Sequence, residues 1–264
     1  MTFDGFPQYF ALFAELEDLV KQKSPHEYES FRLYNMDLAF KLRYLELICL
    51  RYKDDKKKWE RTARRMSKFI ENVKSESLSQ KELQQESGIL GKQSIQYSEL
   101  LMLDIDSFFV FARILLDRIT FLLKPLYKGT VTKQCVAMGK GNLRGSFKVQ
   151  LDWFKNNPES VSDPTFYDKM ISFRKWYYEK LREPRNKIII HPLDIFSSEI
   201  SLEGKLKRIR YELRTIGEKR EWKGMESTDF PEISELFKKI IEFLEFLNGY
   251  FLEKLRKGDE FIRP

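Results

Sequence analysis

A chain of 264 residues suits one large domain or two small ones, and its 42% hydrophobic and 14% aromatic residues are ample for a packed core. Charged residues make up 33% of the chain, which argues against disorder of the whole; Lys plus Arg outnumber Asp plus Glu by 47 to 40, and the net charge of +7 favours anionic partners such as RNA. The two cysteines, Cys49 and Cys135, and the two histidines form no CxxC or zinc-ligand spacing, so the composition points away from a disulfide scaffold or a metal site and toward a reducing cytoplasm.

In chain order, Phe10, Phe13, Leu16 and Val20 predict a helix over residues 7–22. Ser24-Pro25 reads as an N-cap followed by a proline in the first turn of a long helix reaching about residue 74. Its first half is apolar (Leu38, Phe40, Leu42, Tyr44, Leu45, Ile48) and its second half basic (DDKKKWERTARRMSK). Residues 75–95, rich in Ser, Gln, Glu and Lys, read as an exposed loop or weak helix. A strong apolar helix is expected from about 95 to 126, and Arg113, Asp117 and Arg118 make it too charged for a membrane span.

A Gly- and Lys-containing connection, 128–145, leads to a helix capped by Ser146 and closed by Asn157-Pro158. Its GKGNLRGS stretch lacks GK[ST] and is no Walker loop. Asp163-Pro164 opens the next helix, carrying Phe166, Met170, Phe173, Trp176, Tyr177 and Leu181. Alternating runs around Glu203-Gly204 predict a β-hairpin over about 195–213, and Asp229 and Pro231 introduce a final amphipathic helix to about 257. The fold class is mainly α.

Two polar patterns stand out on these helices. Asp106, Arg113 and Asp117 fall within about 40° of one another around a helix axis and form either an internal ion-pair ladder or a support for a site. Lys57, Arg61, Arg64 and Lys68 share another face, which either tracks a phosphate backbone or is simply solvated. Tyr52 and Trp59 lie nearby and either stack on bases or pack in the core.

The most distinctive stretch is Arg185–His191, RNKIIIH, bounded by Pro184 and Pro192. Pro184 lacks an N–H and crowds the preceding turn, so the helix is expected to kink or restart there, with Arg185 and Asn186 at a new N-terminus able to face an anion. Pro192 biases His191 out of helical geometry. On a regular helix Arg185 and His191 lie roughly 120° apart, so a shared site needs an unwound end or a second subunit. The plainer reading is that Arg and His finish a helix at the negative end of its dipole.

Arg185, Asn186 and His191, late in a helical chain, resemble the R-N-x4-H hallmark of the HEPN superfamily. The layout of a buried helix (95–126), a motif helix (164–191) and a closing helix (231–257) is similar as well. The resemblance implies an antiparallel helical bundle over 91–264 with a small hairpin, preceded by an N-terminal helical extension, 1–90, or joined to it as one continuous domain. It implies a metal-independent endoribonuclease without cofactor, working as a homodimer in toxin, stress or antiviral defence, with an antitoxin or regulatory protein as a further partner. Arg185, Asn186 and His191 would be the catalytic residues. The alternatives are a non-catalytic helical interaction module and a protein that binds RNA or nucleotide without cutting it.

Overall fold

The computed structural model describes residues 9, 11–75, 79–122, 146–161, 163–185, 195–200, 206–212, 228–229 and 232–257. The chain is mainly helical: α1 (Ala14–Lys23), α2 (Pro25–Lys74), α3 (Gln80–Leu122), α4 (Phe147–Asn156), α5 (Pro164–Trp176) and α6 (Ile233–Lys257). After α5 the run continues as a π-helical segment, Tyr177–Arg182, and a last α turn, Glu183–Arg185. The backbones of β1 (Ile195–Ile200), β2 (Leu206–Glu212) and β3 (Thr228–Asp229) pair antiparallel in that order, with Ile195 opposite Glu212 and Arg210 opposite Asp229.

Local chemistry explains where the helices start. Pro25 opens α2 because a first-turn residue needs no donor and the proline φ already suits a helix. The Asp163 side chain accepts from the Thr165 and Phe166 N–H groups at 3.0 and 3.3 Å, ahead of Pro164. Ser146 accepts from the Val149 N–H at 3.4 Å at the start of α4.

One start lies earlier than about residue 95. Of the two readings of 75–95, exposed loop or weak helix, the helix holds, because α3 already begins at Gln80. The cause is a capping box: Glu82 Oε2 accepts from the Ser79 N–H at 2.9 Å, and the Ser79 hydroxyl accepts from the Glu82 N–H at 3.4 Å. These two bonds satisfy donors that a helix N-terminus otherwise leaves unpaired. The expected end of this helix, near 126, lies outside the described residues.

The chain divides into two compact units, one comprising the residues up to Glu46, Val110–Leu181 and the residues from Ser234 on, the other Leu47–Phe109 and Arg182–Ile233. The domain division expected after residue 90 falls inside α3. In the first unit, α1 buries Leu16 and Val20, and the first half of α2 buries Phe31, Leu38, Leu42 and Leu45. Tyr34 stacks on Phe121 at 5.3 Å, Asp37 pairs with Arg118 at 2.9 Å, and Tyr44 meets Phe111 at 5.5 Å. Falling numbers on α3 against rising numbers on α2 show that these segments run antiparallel.

The same unit holds an aromatic core made by α4, α5, the π-helical segment and α6. Phe173 stacks on Phe243 with centroids 3.6 Å apart and planes 9° apart. Phe147, fully buried, meets Phe173, Tyr177 and Phe243 edge-on at 5.9, 5.8 and 6.0 Å. Phe166 stacks on Tyr250 at 4.4 Å, and Tyr250 donates to Asp163 at 3.1 Å. Burial raises the Asp163 carboxyl, but the Phe166 N–H, Lys254 and Tyr250 outweigh it and leave the group below its ordinary range.

In the second unit the antiparallel pairing of α2 and α3 continues through Arg51 and Asp104, through Trp59 Nε1 to Ser98 at 3.0 Å, and through Arg65 to Gln93 at 3.4 Å. Lys56 pairs with Glu232 at 2.7 Å.

Candidate functional site

Arg185 is the last described residue of a helical run that began at Pro164. Of the two outcomes expected at Pro184, a kink or a restart, the described residues show a run that passes through Pro184 without a break, changing from π-helix to α-helix one residue before it. Pro184 is buried inside the run, and the π-helical Tyr177–Arg182 precedes it. Proline cannot donate to the preceding turn, and a π turn shifts the hydrogen-bond register by one residue, which accommodates such a defect without ending the helix. Arg185 is half-buried and has a partner within the chain. Asn186 and His191 lie outside the described residues, as does Cys135.

The three polar residues of α3 separate in role. Arg113 Nε lies 3.5 Å from the Asp117 carboxylate, one helical turn away. Asp117 also accepts from the Phe147 N–H at 3.0 Å, so a charged acceptor from α3 caps α4. Asp106 is not a rung of this ladder. Its Oδ1 is buried without a hydrogen-bond partner among the described residues, and burial pushes its carboxyl up to about 6. The helix is also less enclosed than its sequence implies: Leu103 and Val110 are 53% and 39% exposed. The Asp117 bond can be tested alone. Asp117→Ala is expected to cost about 1–2 kcal/mol, read as a lower urea midpoint at unchanged slope, because an N-terminal N–H loses a charged acceptor.

Lys57, Arg61, Arg64 and Lys68 all project to solvent from α2, and Lys53 does as well. At about 100° per residue these five fall within roughly 80° of arc and span about 22 Å. Among the described residues none of them has an ion-pair partner. Neighbouring cations behave differently: Lys58 pairs with Asp55 at 2.8 Å and Lys56 with Glu232. Glu71 lies in line with the row further along the helix. Tyr52 and Trp59, both 4% exposed, belong to the core, so neither offers a face to a base. Burial first, then Glu232 and Asp104, push the Tyr52 phenol far above its ordinary range.

One buried ionic group was not legible in the sequence. Asp104 is fully buried, and Arg51 reaches it from α2. Burial raises the Asp104 carboxyl, Arg51 opposes the rise and nearby Asp55 adds to it. Oδ2 of Asp104 has no hydrogen-bond partner among the described residues. Leu101, Ile105 and Phe108, all buried on the same helix, were the available hint that position 104 also faces inward.

Among the described residues no group of His, Cys, Asp and Glu could hold a metal ion, and no helix is long and apolar enough to cross a membrane. The chain matches no protein-family model, no curated protein and no solved structure.

Proposed function

We propose that the chain is an endoribonuclease of the HEPN type, acting without a metal in toxin, stress or antiviral defence. Arg185, Asn186 and His191 would act at a dimer interface of a HEPN-like bundle carrying the hairpin. The observation that supports RNA as the partner is the row Lys57, Arg61, Arg64 and Lys68, exposed and without ion pairs among the described residues. Cations that pair with no carboxylate among the described residues can displace counterions from a phosphate backbone.

The residue types suit RNA cleavage. RNA carries its nucleophile, the 2′-OH, so the protein must accept its proton, support charge on the phosphorus oxygens and protonate the leaving 5′-oxygen. An imidazole, here that of His191, can serve as general acid or base. The guanidinium of Arg185 offers a planar fork to phosphate oxygens. Asn186 would orient the imidazole or donate to phosphate. Two subunits would bring two imidazoles, one as base and one as acid.

The test is cleavage of structured RNA in EDTA by the wild type and His191→Ala. Cleavage lost in the variant supports the reading; wild type that never cleaves, or His191→Ala that cleaves equally, refutes it. The cation row also favours a second reading, binding without cleavage, and salt dependence isolates that contribution. Replacing Lys57, Arg61, Arg64 and Lys68 together by alanine is expected to flatten the slope of log affinity against log salt by about 3 for single-stranded RNA, at roughly 0.7 per phosphate contact. An unchanged slope would remove this face from the RNA interface.

A further inference from the structure

The basic segment of α2 presents its charge on one side only. Asp55, Trp59, Thr62 and Ala63 are buried. Lys53, Lys57, Arg61, Arg64 and Lys68 are exposed and centred roughly opposite them around the helix axis. All five belong to one helix and to the second unit. Among the described residues none of the five has a hydrogen bond, an ion pair or a ring contact. Asp54 and Glu60 border the row, Asp54 lies 3.8 Å from Lys58, and Glu71 follows the row at its far end.

We infer that this row holds double-stranded RNA in preference to a single strand, by the sugar–phosphate backbone and without regard to base sequence. The inference rests on the RNA reading proposed above and adds the form of the RNA.

Proteins that hold single strands combine a basic track with aromatic rings on which the bases stack. The two rings of this segment, Tyr52 and Trp59, are turned into the core, and the Trp59 indole N–H donates to Ser98 at 3.0 Å. What the row offers is ammonium charge and guanidinium forks, which take phosphate oxygens. The helix also fixes these cations along a line, at steps of about 6, 6, 4.5 and 6 Å. A flexible single strand loses conformational freedom in following that line, whereas a duplex is ordered beforehand. A duplex further carries the phosphates of two strands over the same length. Counterion release per contact accordingly rises from roughly 0.7 for a single strand to roughly 0.9 for a duplex. Over five contacts the difference is about one power of salt concentration, or about tenfold in affinity near 0.1 M salt.

The experiment is a fluorescence anisotropy titration of the full chain near 0.1 M salt with a labelled 2′-O-methyl RNA of about 20 nucleotides, alone and annealed to its complement. The methyl group removes the 2′-OH nucleophile, so the probe stays intact whether or not the protein cleaves RNA. The row predicts a dissociation constant at least about tenfold lower for the duplex, and values within about threefold for two unrelated duplex sequences. With Lys53, Lys57, Arg61, Arg64 and Lys68 all replaced by alanine, the preference should vanish while helical circular dichroism is unchanged. A single strand bound as tightly as the duplex, with both weakened by the substitutions, overturns the duplex preference and leaves RNA contact by the row standing. Duplex affinity unmoved by the substitutions, or binding of neither form, takes the row out of RNA contact and overturns both. A tenfold or larger gap between the two duplex sequences overturns the backbone-only contact.

Discussion

Phe147→Ala is expected to destabilise the protein by about 3–5 kcal/mol, the range for removing a large buried aromatic side chain. Phe147 is fully buried and touches Phe173 of α5, Tyr177 of the π-helical segment and Phe243 of α6. Its truncation therefore opens a cavity where three elements meet. The three edge-on ring contacts add to the loss, since such pairs contribute about 0.5–1.5 kcal/mol each beyond burial. Marginal native stabilities of about 5–15 kcal/mol make this a large fraction of the total. The measurement is equilibrium urea unfolding, with Phe147→Leu as a graded control expected to lose less because it leaves a smaller void. A Phe147→Ala loss below about 1 kcal/mol would mean that the aromatic cluster is not the core of the first unit.

The second large effect is one of pH. Asp106 ionises near 3.8 when unfolded and is pushed up to about 6 by burial in the fold. Below about pH 4 the carboxyl is protonated in both states, and its contribution to stability is fully present. As pH rises toward 6 the unfolded chain releases the proton first, so stability falls, and the loss is complete once pH passes the folded value. The full shift corresponds to about 3 kcal/mol, reduced to about 1–2 kcal/mol because the side chain is only half-buried. Asp106→Asn keeps the shape and removes the ionisation. It should match wild type near pH 3.5 and exceed it by about 1–2 kcal/mol at pH 8, in unfolding curves taken across that range. Equal stabilities at both pH values would show that Asp106 is solvated in the fold.

These two residues also mark what a sequence discloses. Phe147 sits one residue after a recognisable cap, within an apolar pattern, so its burial was expected; its three ring partners lie in segments distant in sequence. Asp106 was readable as part of a polar stripe with Arg113 and Asp117, because all three share a helical face. Arg113 instead turns to Asp117, Asp117 spends a further acceptor on the Phe147 N–H, and Asp106 is left with an oxygen that has no partner among the described residues. Angular position on a helix cannot say which neighbour comes within hydrogen-bond distance. The start of α3 was legible in principle, since Ser79 and Glu82 stand at capping-box spacing, but the polar composition of 75–95 obscured it.

By itself the sequence determined the helical class, the starts of α2, α4 and α5, and the solvent-facing cation row, because caps, prolines and helical periodicity act over a few residues. Tertiary structure alone decided that Tyr52 and Trp59 belong to the core, that Asp104 is buried against Arg51, and that Arg185 continues a helix instead of opening one. It alone decided that Leu33, Met36 and Leu47 of α2 stay partly exposed. The physical reason is common to all four. Periodicity places a residue on a face, but burial and pairing depend on which distant segment meets that face, and Pro184 could be carried within a helix only because the preceding turn widened.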